Sequence, residues 1–105
     1  MKYITTSISL SMFQSTDYDL EIHQLKEEEF RALIIDAYSC VGYQDVADIL
    51  GVAYNKEPVK ARPGDLIYCA NLQQGNLKFY CIRVVESKSE LIRQYEVEEE
   101  MIEWL

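Results

Sequence analysis

The stretch Ser39-Cys40-Val41-Gly42-Tyr43-Gln44 has residue types whose order suggests ligand chemistry. It predicts a tight glycine turn that leads directly into a helix beginning at Gln44. The first N–H groups of a helix lack partners inside the helix, and the helix dipole adds partial positive charge there. Backbone N–H groups near Gly42 and Tyr43 could therefore hold a phosphate or another anion. The alternative is that Ser39 or Gly42 only caps the helix.

The usual catalytic constellations are absent from the sequence. There is no nucleophile elbow, no glycine-rich loop ending in Gly-Lys, and no pair of histidines spaced for one helix face. The single histidine, His23, falls on the polar side of a predicted strand, which indicates a solvated side chain. Cys40, Cys69 and Cys81 have no CxxC spacing, so no zinc site is expected. The residue pattern therefore predicts no metal and no cofactor. General acid–base catalysis by Asp or Glu stays possible, but among eighteen acidic residues no pair is singled out as catalytic.

Length and composition indicate a single globular domain over residues 1–105. The chain is 49% hydrophobic and 27% charged, which is ordinary for such a domain. No apolar run approaches the roughly 20 residues that a membrane-spanning helix needs. The start of the chain lacks the apolar stretch of a secretory signal, so we expect a cytoplasmic protein with no membrane partner.

The charge balance restricts the class of partner. Ten basic and eighteen acidic side chains give a formal charge of −8. A surface of that sign repels duplex nucleic acid, whose binding depends on Lys and Arg neutralising phosphates. It still permits one small anion held locally. It also permits an acidic surface that imitates nucleic acid and occupies a basic site on another protein.

The pattern of apolar residues predicts an α+β domain with a four- to five-stranded mixed sheet and two central helices. Alternating or β-branched stretches predict the strands, and apolar residues three and four apart predict the helices. The predicted strands cover residues 3–10, 17–25, 65–71 and 76–86, and the predicted helices cover 26–37, 44–50 and, as an acidic C-terminal extension, 87–105.

The apolar stripe of each central helix predicts its buried side. The first helix should begin with three glutamates, whose charge the helix dipole favours, and Gly51 should end the second. The predicted stripes are Phe30, Leu33, Ile34 and Ala37 on the first helix, and Val46, Ala47, Ile49 and Leu50 on the second.

The last two predicted strands are joined so closely that an antiparallel hairpin is expected. This brings Cys69 near Cys81. The two residues lie directly opposite if the loop holds three residues and are offset if it holds two. A disulfide between them remains an alternative, although a reducing compartment disfavours it.

Taken in order, three stretches resemble the viral ring nuclease family, small anti-CRISPR proteins that act against type III systems. Residues 4–13, Ile-Thr-Thr-Ser-Ile-Ser-Leu-Ser-Met-Phe, resemble the family's opening strand, usually Leu-Thr-Asn-Ala-Phe-Ser-Leu-Asn-Met-Leu. Residues 38–51 resemble its central signature, Ala-Ile-Gly-His or Ala-Val-Gly-His before a helix ending near Leu-Gly. Residues 55–72 resemble the following segment, in which Gly-Asp opens a core strand. The resemblance covers residues 3–86 and leaves 87–105 as an extension.

The resemblance implies a homodimer that binds cyclic tetra-adenylate, the second messenger of type III defence, at the dimer interface. In the family, a ribose 2′-hydroxyl attacks the neighbouring phosphate. The signature histidine acts on the leaving oxygen, and an Arg and a Glu on a later loop assist. Carried onto this sequence, the implied ligand-binding residues are Thr6, Ser7, Ser39, Gly42, Tyr43 and Gln44.

Three departures from the family bear on catalysis. Tyr43 stands where the catalytic histidine belongs, and an ordinary tyrosine, with a pKa of about 10, transfers protons poorly at pH 7. The loop expected to carry Arg and Glu is reduced to Gln73-Gln74-Gly75. Thr6 replaces the asparagine of the opening strand. We therefore assign no catalytic residue.

Three functional hypotheses follow from the sequence. The first is an anti-defence protein of a phage or mobile element that works in the host cytoplasm and binds a cyclic oligoadenylate-type ligand without efficient cleavage. The second is an acidic protein-interaction module without a nucleotide ligand, in which Tyr95, Met101 and Trp104 anchor the C-terminal extension on a host defence protein. That extension could equally pack against its own sheet. A third hypothesis keeps it an enzyme, either with Tyr43 activated by its setting or with the substrate's own 2′-hydroxyl and the geometry of the bound ligand sufficing for cleavage.

Overall fold

The computed structural model describes residues 1–13 and 18–86. The predicted turn at 14–17 and the predicted C-terminal helix at 87–105 lie outside this range. The described chain forms an α+β fold with five strands and two α-helices, as predicted. The strands are β1 (Lys2–Thr5), β2 (Tyr18–Leu25), β3 (Tyr38–Ser39), β4 (Leu66–Gln73) and β5 (Asn76–Glu86), the helices are α1 (Glu27–Leu33) and α2 (Gln44–Leu50), and a 3₁₀ turn spans Leu10–Met12.

The five strands form one mixed sheet in the order β2-β5-β4-β1-β3. The short strand β1 pairs in parallel with both β3 and β4. Strand β5 runs antiparallel to β2 and to β4. Four strands therefore point the same way and end at one side of the sheet, which we call the carboxyl edge. Helix α1 follows β2 and helix α2 follows β3, so both helices begin at this edge.

The core lies on both faces of the sheet. On the helical face, the two helices bury their apolar residues against the central strands in a cluster of Ile4, Phe30, Ile34, Val41, Ala47, Leu50, Tyr68, Ala70 and Phe79. On the opposite face, the irregular segments at 8–13 and 54–62 replace helices, and the cluster is Tyr3, Met12, Cys40, Val59, Ala61, Ile67, Cys69, Ile82 and Val84. Successive side chains of β4 point to opposite faces of the sheet, so they enter the two clusters in turn, and the strand is buried on both sides.

The β4–β5 hairpin has a two-residue loop, and this decides the cysteine question. Gln74 and Gly75 both have positive φ, 52° and 82°, as in a type I′ turn. The register pairs Cys81 with Tyr68 and Cys69 with Tyr80. Cys69 belongs to the opposite-face cluster, whereas Cys81 packs on the helical face. The two thiols therefore face away from each other, and all three cysteines are free.

Two predicted elements are too long. The strand expected over 3–10 ends at Thr5, because the chain then turns so that Met12 enters the opposite-face cluster. Helix α1 ends at Leu33 instead of Ala37, because the next residues must reach β3 and pair with the exposed side of β1. The sequence pattern predicts only a short break between the two helices at residues 38–43, where the structure has strand β3.

Two residues of the predicted buried stripes are exposed. Leu33 is 40% exposed and Ile49 is 56% exposed, while Phe30, Ile34, Ala47 and Leu50 are buried as predicted. Each helix has only seven residues, so its packed stripe is narrow. The predicted end of α2 is confirmed: Gly51 has a φ of 72°, and its N–H bonds back to the carbonyl of Asp48.

Replacing Phe30 should destabilise the domain strongly. Its ring is fully buried and packs 4.8 Å from the ring of Phe79 and edge-on to Tyr68. We expect Phe30→Ala to lower the free energy of unfolding by about 3–5 kcal/mol, since a cavity replaces the ring. Leu33→Ala, on the exposed side of the same helix, should change it by less than about 1 kcal/mol. Urea denaturation measures both, and equal losses would contradict the assignment of the core.

Cys69 should be the least reactive thiol. Burial raises its pKa to about 11, so almost none of it is thiolate at neutral pH. In native protein at pH 8 we expect Cys69 to resist alkylation by iodoacetamide, and to react once urea unfolds the chain. Peptide mass spectrometry reads the labelling of each cysteine. Labelling of Cys69 ahead of the half-buried Cys81 would argue against this packing.

Candidate functional site

The carboxyl edge gathers residues from distant parts of the sequence. In the β1–β3 pair, Ile4 lies opposite Ser39, and the Cys40 N–H donates to the Ile4 carbonyl at 2.8 Å. The residues that follow these strands, Thr6 and Ser7 on one side and 42–44 on the other, therefore leave the sheet side by side. Thr6 is half-buried and Ser7 is exposed.

Asn71 of β4 joins this group, although the sequence pattern does not single it out. Its side-chain amide donates to the Thr6 carbonyl at 2.9 Å, which ties β4 to the segment after β1. Gln73 donates in turn to the Asn71 side chain and to the Tyr80 hydroxyl, both at 3.1 Å. Asn71 directly follows the apolar run at 66–70. Its position after this run points to the site only once β4 is known to run parallel to β1, because both strands then end at the same edge.

The segment at 53–56 forms the outer border of the site. The Asn55 N–H donates to the Val41 carbonyl at 2.9 Å, and its side-chain amide donates to the Ser39 carbonyl at 2.8 Å. This fixes Lys56 beside Gly42: a Cβ built on Gly42 would lie 3.9 Å from Cα and Cγ of Lys56. Lys56 is exposed and forms no ion pair within residues 1–13 and 18–86. No motif in the sequence singles out this cation.

Ser39 has a positioning role. The side chain is buried, its hydroxyl donates to the Ala53 carbonyl, and its oxygen accepts the Val41 N–H at 3.3 Å. The hydroxyl holds the 53–56 segment against β3. Its oxygen accepts the Val41 N–H and not a helix N–H, and the N-cap position belongs to Tyr43, so Ser39 does not cap α2. Ser39 thus positions the segment that carries Lys56.

The start of α2 is occupied by its own side chains. Tyr43 is the N-cap residue; it is 64% exposed, and its side chain caps no helix N–H. The Asp45 carboxylate accepts the Val46 N–H at 2.9 Å, and the Gln44 amide donates to Asp48 at 2.8 Å. The Asp45 carboxylate thus uses one of the free N–H groups at the helix start and places a negative charge there. Any anion at this edge would therefore depend on Lys56 and the strand-end groups more than on the helix.

The backbone at Gly42 corrects one prediction. The glycines with positive φ are Gly51, Gly64 and Gly75, and Gly42 is not among them. Residues 42 and 43 continue from β3 without the predicted turn. The nearest atoms to a Cβ on Gly42 would be 3.8 Å away, an ordinary contact. Neither backbone conformation nor space requires glycine here.

A groove of about 580 Å³ opens at the other end of β3, between the ends of α1 and α2. We call it the edge groove. Within it, Asn55 donates to the Tyr38 hydroxyl at 3.1 Å, and that hydroxyl donates to Glu57 at 2.9 Å. The bond to the Glu57 carboxylate raises the pKa of Tyr38, since ionisation would place two negative charges together. The lining residues are Arg31, Ile34, Ile35, Ala37, Tyr38, Ser39 and the run 50–55.

Two classes of site are not found among the described residues. No group of three or more His, Cys, Asp or Glu side chains in the ranges 1–13 and 18–86 is arranged to hold a metal ion. No helix in the same ranges is long and apolar enough to cross a membrane.

The two glycines that flank α2 should respond differently to substitution. Gly51→Ala should cost about 1–2 kcal/mol, because its φ of 72° is left-handed and unfavourable for residues with a side chain. Gly42→Ala should stay within about 0.5 kcal/mol of the wild type. Thermal unfolding followed by circular dichroism compares them. A larger loss for Gly42→Ala would indicate a hidden constraint at the site.

Comparison with known proteins places the fold. No protein-family model matches the chain, and no curated protein matches it. Among solved structures, the chain is similar to B116 of Sulfolobus turreted icosahedral virus (STIV), with a TM-score of 0.71 and 17% sequence identity. The match covers 78% of this chain and 97% of B116. At this identity the likeness establishes a shared fold: this chain has the fold of a small viral protein.

Proposed function

We propose that the protein is an anti-defence protein of a virus, phage or mobile element that binds a cyclic oligoadenylate-type ligand at the carboxyl edge without cleaving it efficiently. The observation that carries the proposal is that two pairs of residues lie at that edge. Asn71 is hydrogen-bonded to the segment after β1, and Lys56 lies beside Gly42 in the segment after the neighbouring strand β3. The three ring-nuclease-like sequence stretches and the fold shared with B116 support the viral assignment.

The chemistry of this edge suits a phosphodiester. In open sheets, ligands bind in the crevice outside the carboxyl ends of parallel strands, where backbone and short side chains can approach them closely. Hydroxyl and amide groups can bind ribose and phosphate oxygens, and a lysine supplies a point charge. At this edge Thr6 would supply the hydroxyl, Asn71 the amide and Lys56 the positive charge.

A second copy of the chain would complete such a site. Lys56 is the cation next to Gly42, whereas a cyclic oligonucleotide carries one negative charge per phosphate. A two-fold dimer doubles every contact and presents a symmetric site to a symmetric ring. The proposed homodimer therefore binds the ring between two carboxyl edges, in the cytoplasm of the host.

The surroundings of Tyr43 are the reason to expect no efficient cleavage. Its phenol is 64% exposed, and its hydroxyl forms no hydrogen bond with the described residues that could activate it. The reduced loop at 73–75 offers only neutral groups, and Gln73 is already bonded to Asn71 and Tyr80. Loss of a general acid typically lowers a rate by about 10²–10⁴-fold.

Isothermal titration with cyclic tetra-adenylate, together with chromatography of the ligand after incubation, tests the proposal. We expect binding in the micromolar range or tighter, about −8 kcal/mol, with the ring intact. Analytical ultracentrifugation should show a dimer. Absence of heat at micromolar concentrations would refute ligand binding, and rapid linearisation would refute the non-catalytic assignment.

Two variants should separate binding from cleavage. Lys56→Ala should weaken binding by about ten- to hundredfold, since a charged contact contributes about 1.5–3 kcal/mol. Lys60→Ala, an exposed lysine in the same segment, should leave it unchanged. Tyr43→His should add ring opening with little change in affinity. Equal effects of the two lysine changes would show that only bulk charge matters.

A further inference from the structure

Two large side chains that line the edge groove are exposed. Ile35 is 84% exposed and Tyr54 is 42% exposed. Ile49, which precedes the lining residue Leu50 at the end of α2, is 56% exposed. The Arg31 guanidinium donates to the Ile49 carbonyl at 3.2 Å, which brings the end of α1 against the end of α2. Exposed apolar side chains beside a concavity favour the packing of another segment or molecule.

The described chain ends on the side of the sheet where the groove opens. Strand β5 runs from the carboxyl edge toward the opposite end, and its last residue, Glu86, lies three positions beyond the pair Arg83–Leu66. Strands β5 and β3 are separated by three strand spacings, roughly 14 Å. Nineteen residues follow Glu86, and even a helix of that length would span about 28 Å. The C-terminal segment can thus reach the groove of its own subunit.

The composition of residues 87–105 matches the groove. Six of the nineteen residues are acidic and two are basic, and eight are large and apolar or aromatic: Leu91, Ile92, Tyr95, Val97, Met101, Ile102, Trp104 and Leu105. Arg31 at the groove donates one N–H to Glu27 at 2.9 Å and one to Ile49. A guanidinium has five N–H donors, so others remain for a carboxylate.

The comparison with B116 shows how much of this chain lies outside the shared fold. The match covers nearly all of B116 but only 78% of this chain. About a fifth of this chain therefore has no counterpart there. We propose that residues 87–105 bind in the edge groove of the same subunit, with their apolar side chains on Ile35 and Tyr54. The proposal is independent of any nucleotide ligand.

Trp104 is the chain's only tryptophan and reports on the proposal directly. In the full-length protein its fluorescence should be shifted to the blue and protected from acrylamide. Ile35→Asp places a charge on the rim and should raise the quenching constant about twofold or more, because the apolar contact is lost. Ile22→Asp is the matched control, since Ile22 is 58% exposed on β2 at the far edge of the sheet. It should leave the quenching unchanged.

Circular dichroism should confirm that both variants keep the wild-type fold, as expected for substitutions at exposed positions. Trp104→Phe supplies the fluorescence blank. Quenching that stays constant over a hundredfold range of protein concentration supports binding within one subunit. Quenching that changes with concentration would assign the groove to a second copy and overturn the proposal. A fully accessible Trp104 in the wild type, or equal effects of the two Asp variants, would overturn it as well.

Discussion

The parallel pairing of β1 with both β3 and β4 is the constraint on which the rest of the molecule depends. This four-residue strand sets the common direction of its neighbours. Its Ile4 and Tyr3 belong to the clusters on the two faces, so β1 also joins the two halves of the core. Without this pairing, the residues that follow β1, β3 and β4 would not leave the sheet at one common edge.

The sequence pattern was informative where an element is long or strongly periodic. Strand β5 and helix α2 were predicted with their observed bounds, because alternation and the Gly51 stop are local signals. It failed where tertiary pairing decides. Strand β3 has two residues and exists because β1 needs a neighbour, and α1 stops early for the same reason. No local pattern contains that information.

The residues of the candidate site also fall into two groups, those that a local motif identifies and those that only tertiary pairing identifies. Thr6, Ser7, Gly42 and Tyr43 could be named from motifs, whereas Asn71 and Lys56 could not, because their relevance comes from register and from the return of the 53–56 segment. The physical reason first given for Gly42, a glycine turn, was wrong. The site is better understood as an arrangement of strand ends, held by Ser39 and Asn55, than as a helix terminus.

The opposite orientation of Cys69 and Cys81 has a consequence for biogenesis. A domain whose thiols cannot meet across its hairpin needs no oxidase or disulfide isomerase to mature. The described core forms from burial and strand pairing, so its folding does not wait for an oxidation step.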